Sequence, residues 1–332
     1  MAVAPPVDPG PSPSPTQRTP LPGAPASGTK YVERRRRIGE KWYTPYLFLL
    51  PHFFVFALFV LWPLVFGLYI STQRFALGAA TGPVFVGLDN WQQLFNPASF
   101  QFERFWMTVW NTVLFVFMST PTLIIASVLL AALLNQQFGG RTFFRTVFFA
   151  PWTLSVAVVG LLWWWMLNQQ AGLVNHLLGI IGINAIPWLT ANPWAWMAIL
   201  VATLWWTVGF NTIILLAGMQ SIPSDLYEAA AIDGASKRQQ FRHITIPMLR
   251  PVLLLVVTLQ IIASFNLLGQ PQIMTGGGPA PGQTTPVLLH IYNTGFTGRF
   301  DLGLAAAMAL VVAVIMVIFS VFNFRFFQSE RA

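Results

Sequence analysis

The chain has 332 residues, of which 55% are hydrophobic and 8% charged, with a mean hydropathy of +0.62 and a formal net charge of +8. A soluble domain carries about 25% charged residues, so this composition excludes a water-soluble globule and makes lipid the solvent for most of the chain. Cysteine is absent, which excludes disulfides and Cys-ligated metal sites, and His52, His176, His243 and His290 are scattered without metal-ligand spacing.

The first segment is residues 1–42. Its first 29 residues are rich in Pro, Ser, Gly and Ala and lack the apolar surface to fold, so a disordered tail is expected. The basic cluster "ERRRRIGEK" follows at 33–41. Such a cluster can open a signal peptide, with "ALGA" at 76–79 as a weak cleavage site. The apolar run between them exceeds an h-region of about 7–15 residues, and the reading adopted is an uncleaved first span. The cluster either controls topology or touches anionic lipid.

A bilayer span needs roughly 20 mostly apolar residues. Six stretches qualify, at about 46–71, 108–134, 147–167, 194–219, 252–271 and 302–324. Helices are expected throughout, because an open sheet leaves backbone groups unsatisfied in lipid. Pro271 is expected to end the fifth. With the N-terminus inside, the cytoplasmic segments (the tail, about 135–146, 220–251 and 325–332) hold 15 of the 18 Lys and Arg. Arg74, Arg104 and Arg299 are the exceptions. This bias places both termini in the cytoplasm. Trp91, Trp188 and Trp194 fall in outside segments and suit an interfacial belt. The basic residues flank apolar runs rather than forming a stripe with interleaved aromatics, which argues against nucleic acid.

No Asp, Glu, Lys or Arg lies well inside a span, and Asp301 sits at an entrance. Proton-coupled pumps and voltage sensors place ionisable groups at depth. Their absence disfavours both and leaves sodium coupling open, since backbone carbonyls and hydroxyls suffice for that. Neutral polar residues do occur there: Ser119, Thr120, Thr207, Asn211, Gln260, Ser264 and Asn266. Aromatic residues accompany them, notably Trp163 to Trp165, Trp205, Trp206, Phe210 and Phe265. Singly, each reads at least as well as ordinary helix packing. As a set they suit a neutral, hydroxyl-rich solute.

Between the fourth and fifth spans lies "SIPSDLYEAAAIDGASKRQQFRHITIPMLRP", residues 221–251. Ser221 reads as an N-cap and Pro223 as an early helix residue. Glu228, Ala229, Ala230 and Ala231 are strong helix formers, and Gly234 permits a left-handed break. Ser236 and Gln239 have capping-box spacing, which starts a second short helix. Pro247 and Pro251 punctuate the entry to the fifth span. The expectation is a helix, a sharp turn and a second helix. The apolar residues of the first are too few to build a core and suit either a solvated surface or insertion into a partner's groove.

"EAAAIDGA", followed by Phe241, Ile244 and Ile246–Pro247, resembles the EAA loop of ABC-importer permeases. The pattern is E-A-A, three residues, G, nine residues, I-x-L-P, with Ile246 at the Leu position. "TGGGP" at 275–279 resembles the same stretch in permeases of the maltose and glycerol-phosphate type, and "FVGLDNW" at 85–91 is similar to a third feature of that group. The resemblance covers about residues 43–326, leaving 1–42 and 327–332 as tails.

That resemblance implies an all-α integral membrane protein with six spans and a cytoplasmic coupling helix between the fourth and fifth. Carried over by position, Glu228, Ala229, Ala230, Asp233, Gly234 and Pro247 belong to the loop that docks in a cytoplasmic ATPase. It further implies an ATPase dimer, a second homologous permease and an extracytoplasmic solute-binding protein as partners, in a bacterial or archaeal cytoplasmic membrane. No cofactor is expected in this chain. The only lysines are Lys30, Lys41 and Lys237, none in a phosphate-binding G-x-x-x-x-G-K-[ST] loop. ATP and Mg would be bound by the partner ATPases, and the chain itself would not be an enzyme. The solute implied is a carbohydrate: an oligosaccharide, a disaccharide or a polyol phosphate. Positions matching the family's solute site fall at Thr207, Phe210 and Asn211 before the loop and at Gln260, Ser264 and Leu267 after it. The competing readings are an ABC permease for a non-sugar solute and a self-sufficient secondary transporter.

Overall fold

A computed structural model describes residues 43–75, 82–280, 282–297 and 300–328. The expected tail at 1–42 with its arginine cluster, the "ALGA" stretch, Arg299 and the last four residues lie outside them. The chain divides into two units, one ending at Phe56 and the other beginning at Ala57.

In the first unit, helix α1 (Thr44–Phe56) carries Pro51 and is apolar on every side. Phe48, Phe53 and Phe54 are exposed. A helix that is hydrophobic all round and uncovered belongs in lipid. The second unit opens with a π turn at Ala57–Leu61 and helix α2 (Trp62–Ser71). Two short antiparallel strands follow, β1 (Gln73–Arg74) and β2 (Val84–Phe85), with Gln73 opposite Phe85.

Helix α3 (Asp89–Phe95) starts inside the "FVGLDNW" stretch, which acts here as a clasp. The Asn90 amide donates to the carbonyls of Ser71 (2.9 Å) and Gln73 (2.8 Å), and the Trp91 indole donates to the Ser71 hydroxyl at 3.2 Å. Asn90 is 1% exposed, so these bonds satisfy an amide that would otherwise be costly to bury. The nearby Arg74–Asp89 pair, at 2.8 Å, is exposed and contributes little.

The body is built on α4 (Phe100–Asn135), α8 (Trp194–Gln220), α11 (Ile246–Phe265) and α14 (Leu302–Gln328). Helix α4, capped by the Ser99 hydroxyl, spans about 54 Å at 1.5 Å per residue. Apolar side chains meet in four clusters. One joins Leu94, Phe105, Leu304 and Met308. A second joins Ala131, Leu215, Leu249 and Val256. Phe115, Trp196, Ile199 and Leu267 form a third, and Leu167, Ala198, Ala202 and Met274 a fourth. Outward faces stay apolar, as with Phe117, Ile125, Leu129, Val314 and Val317.

Among the described residues, five helical runs are long and apolar enough to cross a membrane: Tyr46–Ser71, Phe100–Asn135, Trp194–Gln220, Lys237–Met274 and Leu302–Val321. A sixth is bent. The stretch expected as one span at 147–167 is instead α5 (Arg141–Phe149), a 3₁₀ turn at Ala150–Thr153 and α6 (Val156–Met166), turning by 99°. Pro151 fits the first turn of the 3₁₀ segment, and Ser155 is non-helical and caps α6 through its hydroxyl. Beyond α6, α7 (Leu173–Ile180) lies before α8.

Two further boundaries differ from expectation. The second span begins at Phe100, because the polar Gln101 and Asn111 are buried against neighbours rather than left in solvent. The fifth breaks at Asn266–Leu268, and α12 (Gly269–Met274) follows with Pro271 near its start. Pro271 sits in the first turn of α12, where its missing N–H costs nothing. Helix α13 (Val287–Tyr292) and a π turn at Asn293–Thr297 lead to α14.

Candidate functional site

The loop after α8 folds as helix α9 (Ser224–Ile232), a turn and helix α10 (Lys237–Gln240). Gly234 takes φ +79°, the left-handed conformation that glycine adopts at no steric cost. The capping box is complete: the Ser236 hydroxyl accepts from the Gln239 backbone, and Gln239 accepts from the Ser236 N–H at 2.7 Å. Ser221 is not the cap expected for α9. Its hydroxyl donates to the Gly218 carbonyl at 2.8 Å, closing α8, while Pro223 holds the non-helical cap conformation.

This segment is held against the bundle. The hydroxyls of Tyr227 and Thr245 lie 2.9 Å apart, and the buried Gln240 amide donates to the Tyr227 and Ala235 carbonyls. A π turn at Phe241–Thr245 precedes Pro247, so α10 runs through it into α11. Glu228, Ala229, Asp233, Gly234 and Pro247 are exposed and Ala230 is half-buried. Ile232 is 87% exposed. A cavity of about 970 Å³ separates this loop from the end of α4, lined by Leu133, Gln136, Tyr227, Lys237, Arg238 and Phe241 among others.

Among the residues expected to contact solute, three come together. Asn211 donates to Gln260 at 3.1 Å, Gln260 donates to the Ser264 hydroxyl at 3.2 Å, and Ser264 lies 2.9 Å from the Ser119 hydroxyl. This chain joins α4, α8 and α11, and all four residues are buried. The other three lie apart from it. Thr207 satisfies its hydroxyl on the Thr203 carbonyl at 2.7 Å. Phe210 stacks on Trp152, with centroids 4.5 Å apart and planes at 19°. Leu267 is packed in the cluster with Phe115 and Trp196. Trp152 also meets Trp206 at 5.6 Å; nothing local in the sequence marks it as the partner of Phe210. Among the described residues, three polar atoms inside the spans are buried with no hydrogen-bond partner: the Thr120 hydroxyl, the Arg145 Nε and the Trp163 indole nitrogen.

Residues 96–331 match the family model described as "Binding-protein-dependent transport system inner membrane component". The chain belongs to this family. It is a permease, the membrane-spanning transport subunit of an ABC importer, and not the ATPase. The permease is 34% identical over 276 residues to the trehalose/maltose transport system permease protein MalF of Thermococcus litoralis, covering 83% of this chain and 90% of that one. It is 32% identical over 266 residues to the sulfoquinovosyl glycerol transport system permease protein SmoG of Agrobacterium fabrum, covering 80% and 84%. A chain from the crystal structure of a bacterial alginate ABC transporter, in complex with an alginate pentasaccharide-bound periplasmic protein, matches with a TM-score of 0.70. The identity there is 26%, over 84% of the permease and 92% of that chain. The EAA pattern and the several apolar helices are those of a multi-pass inner membrane component.

Proposed function

We propose that the permease moves a carbohydrate (an oligosaccharide, a disaccharide or a polyol phosphate) inward by ATP-driven alternating access. The observation that carries the reading is the exposed, internally braced α9–Gly234–α10 segment, which bears the EAA residues at one end of the spans. A short helix with bare Ala and Glu side chains, braced through Tyr227 and Gln240, can transmit a push from a partner's groove to α8 and α11. On this reading Glu228, Ala229, Ala230, Asp233, Gly234 and Pro247 form the contact with a cytoplasmic ATPase dimer that binds the ATP and Mg. A second homologous permease completes the pore, and a solute-binding protein delivers from the other side. Both termini then lie on the ATPase side, with residues 43–326 as the permease domain between tails at 1–42 and 327–332.

The solute class is supported by the relatives' sugar solutes and by the neutral chemistry of the buried network. Asn211, Gln260, Ser264 and Ser119 bond one another in a chain, and a solute hydroxyl entering it replaces one of these bonds or takes up remaining amide capacity. Purification of the tagged chain in mild detergent tests the assembly. Recovery of an ATPase and a second permease in stoichiometric amounts is expected. Recovery of the chain alone, active in liposomes without ATP, would establish a secondary transporter instead.

A further inference from the structure

The end of the bundle away from the coupling loop holds a second cavity. The two sit at opposite ends of α4, one against its last turns and the other against its first. This outer cavity has a volume of about 730 Å³, and its lining includes Gln101, Arg104, Gly276, Gly277, His290 and Asn293. Two of these side chains lack the partners their chemistry calls for. Arg104 is exposed, its guanidinium lies 5.7 Å from the Phe100 ring centroid, and no ion pair holds it among the described residues. His290 is only 9% exposed, yet its Nε2 is buried without a hydrogen-bond partner. Leaving such a group unmet is costly, and a ligand in the cavity would recover that cost.

The wall opposite is built rather than loose. Gly276, Gly277 and Gly278 all take positive φ, at +61°, +100° and +129°. Gly277 accepts at its carbonyl from the Thr284 N–H (3.0 Å) and the Thr285 hydroxyl (2.9 Å). The buried Asn111 amide ties the far side of this loop to α4 through the Gly282 carbonyl at 2.8 Å and the Thr285 carbonyl at 3.1 Å. A Cβ on Gly276 would meet nothing within 4 Å. The "TGGGP" stretch is therefore a fixed, side-chain-free rim beside a free guanidinium and an unmet imidazole.

We propose that this cavity seats an aspartate or glutamate side chain of the solute-binding protein that docks on this end of the permease, an inference that rests on the importer reading above. A planar guanidinium pairs best with a carboxylate, and His290 supplies a further hydrogen bond. Burial and the Arg104 charge lower the His290 pKa to about 4, so at neutral pH the ring adds a hydrogen bond and not a second charge. The carboxylate is assigned to the docking protein rather than to the solute because Arg104 is exposed at the first turns of α4, at the end of the bundle away from the α9–α10 loop, where a protein delivering solute meets the permease before any solute enters the spans.

Titration of the full-length chain in lipid nanodiscs tests the assignment. The probes are N-acetyl-glutamate methylamide, its glutamine counterpart, glucuronate and glucose. The glutamate probe should bind at least tenfold more tightly than the glutamine probe, and Arg104→Gln should remove that difference. Arg104 is exposed, so this variant does not test folding. His290→Asn, which keeps a donor on a shorter side chain, should weaken the glutamate probe severalfold. Equal binding of the two peptides, or no effect of Arg104→Gln, would overturn the proposal. Tighter binding of glucuronate than of the glutamate probe would overturn it too, in favour of an acidic-solute site. Uptake of labelled disaccharides by cells expressing the chain separates the two readings. Uptake without glutamate binding removes the cavity assignment and leaves the carbohydrate importer standing.

Discussion

A methyl group added at Gly209 is a severe test of how the bent third segment is held. Gly209 lies on α8 between the candidate solute residues Thr207 and Asn211. A Cβ there would overlap the Phe148 carbonyl oxygen, and it would sit 2.6 Å from the carbonyl carbon and 2.9 Å from the Phe149 Cα. All three atoms are backbone of α5, so no rotamer change relieves the clash and the two helices must separate. Overpacking of this kind costs about 3 kcal/mol at the upper end of its range. Alanine recovers about 1 kcal/mol of helix propensity, leaving a net loss of about 2 kcal/mol. At about 2.1 cal/mol/K of unfolding entropy per residue, that corresponds to a fall of about 3 °C in melting temperature for 332 residues. Gly67 is the internal control: it lies in α2, and a Cβ there meets nothing within 4 Å. Gly67→Ala gains the propensity term with no clash and should melt at or above the parent. Thermal denaturation of the three detergent-purified chains, followed by size-exclusion chromatography, reads both signs. Gly209→Ala melting with the parent would refute the close α5–α8 contact.

Four further outcomes follow from other parts of the structure. In a double-mutant cycle, Asn211→Leu and Gln260→Leu should couple by about 1 kcal/mol, the usual scale for interhelical hydrogen bonds in membranes; additive melting shifts would mean that the bond does not form. Gly234→Asn should be tolerated and Gly234→Val should reduce ATPase co-purification, because the space beside Gly234 is open and only the φ of +79° penalises a β-branched residue. Glu228→Ala should leave membrane insertion intact and reduce ATPase recovery; full recovery with normal uptake would remove Glu228 from the contact. The folded pKa of His290 is lowered to about 4 from 6.5, so the unfolded chain takes up its proton first as pH falls. The parent should therefore lose stability relative to His290→Gln between pH 6.5 and 4, by about 3 kcal/mol at the lower end, with a constant difference above pH 7; parallel melting curves across that window would remove the effect.

The parts of this structure that were legible in the sequence are those whose geometry closes within a few residues. Gly234 and the Ser236–Gln239 box are set by backbone conformation and a three-residue reach, so spacing alone locates them. Apolar runs locate the spans because lipid demands them over about 20 residues at a time. The same averaging hides the break at Pro151–Ser155, since "PWTLS" contributes hydrophobic weight to the window while its proline and serine end one helix and start another. Local signals also compete: Ser221 and Pro223 both read as the start of α9, and the Gly218 carbonyl claims the Ser221 hydroxyl.

The arrangement of the solute candidates was hidden for a different reason. They come from α8 and from α11 with the residues just after it, and their contacts cross between helices, with Asn211 and Gln260 49 residues apart in the chain and Ser119 and Ser264 145 apart. A neutral polar residue in a span serves packing and recognition equally well, so its type does not distinguish the two. Position sorts them by what they touch. Leu267 falls into the Phe115–Trp196 cluster and Thr207 onto its own helix, which leaves the Asn211–Gln260–Ser264–Ser119 chain as the polar thread joining α4, α8 and α11. Helix α4 reaches from the cavity beside Arg104 to the cavity beside Tyr227, and Ser119 lies near its middle. A displacement of α11 driven from Thr245 and Tyr227 must therefore either carry Ser119 with it or break the 2.9 Å contact with Ser264. On the proposed reading, that contact is where movement at the loop would meet the solute.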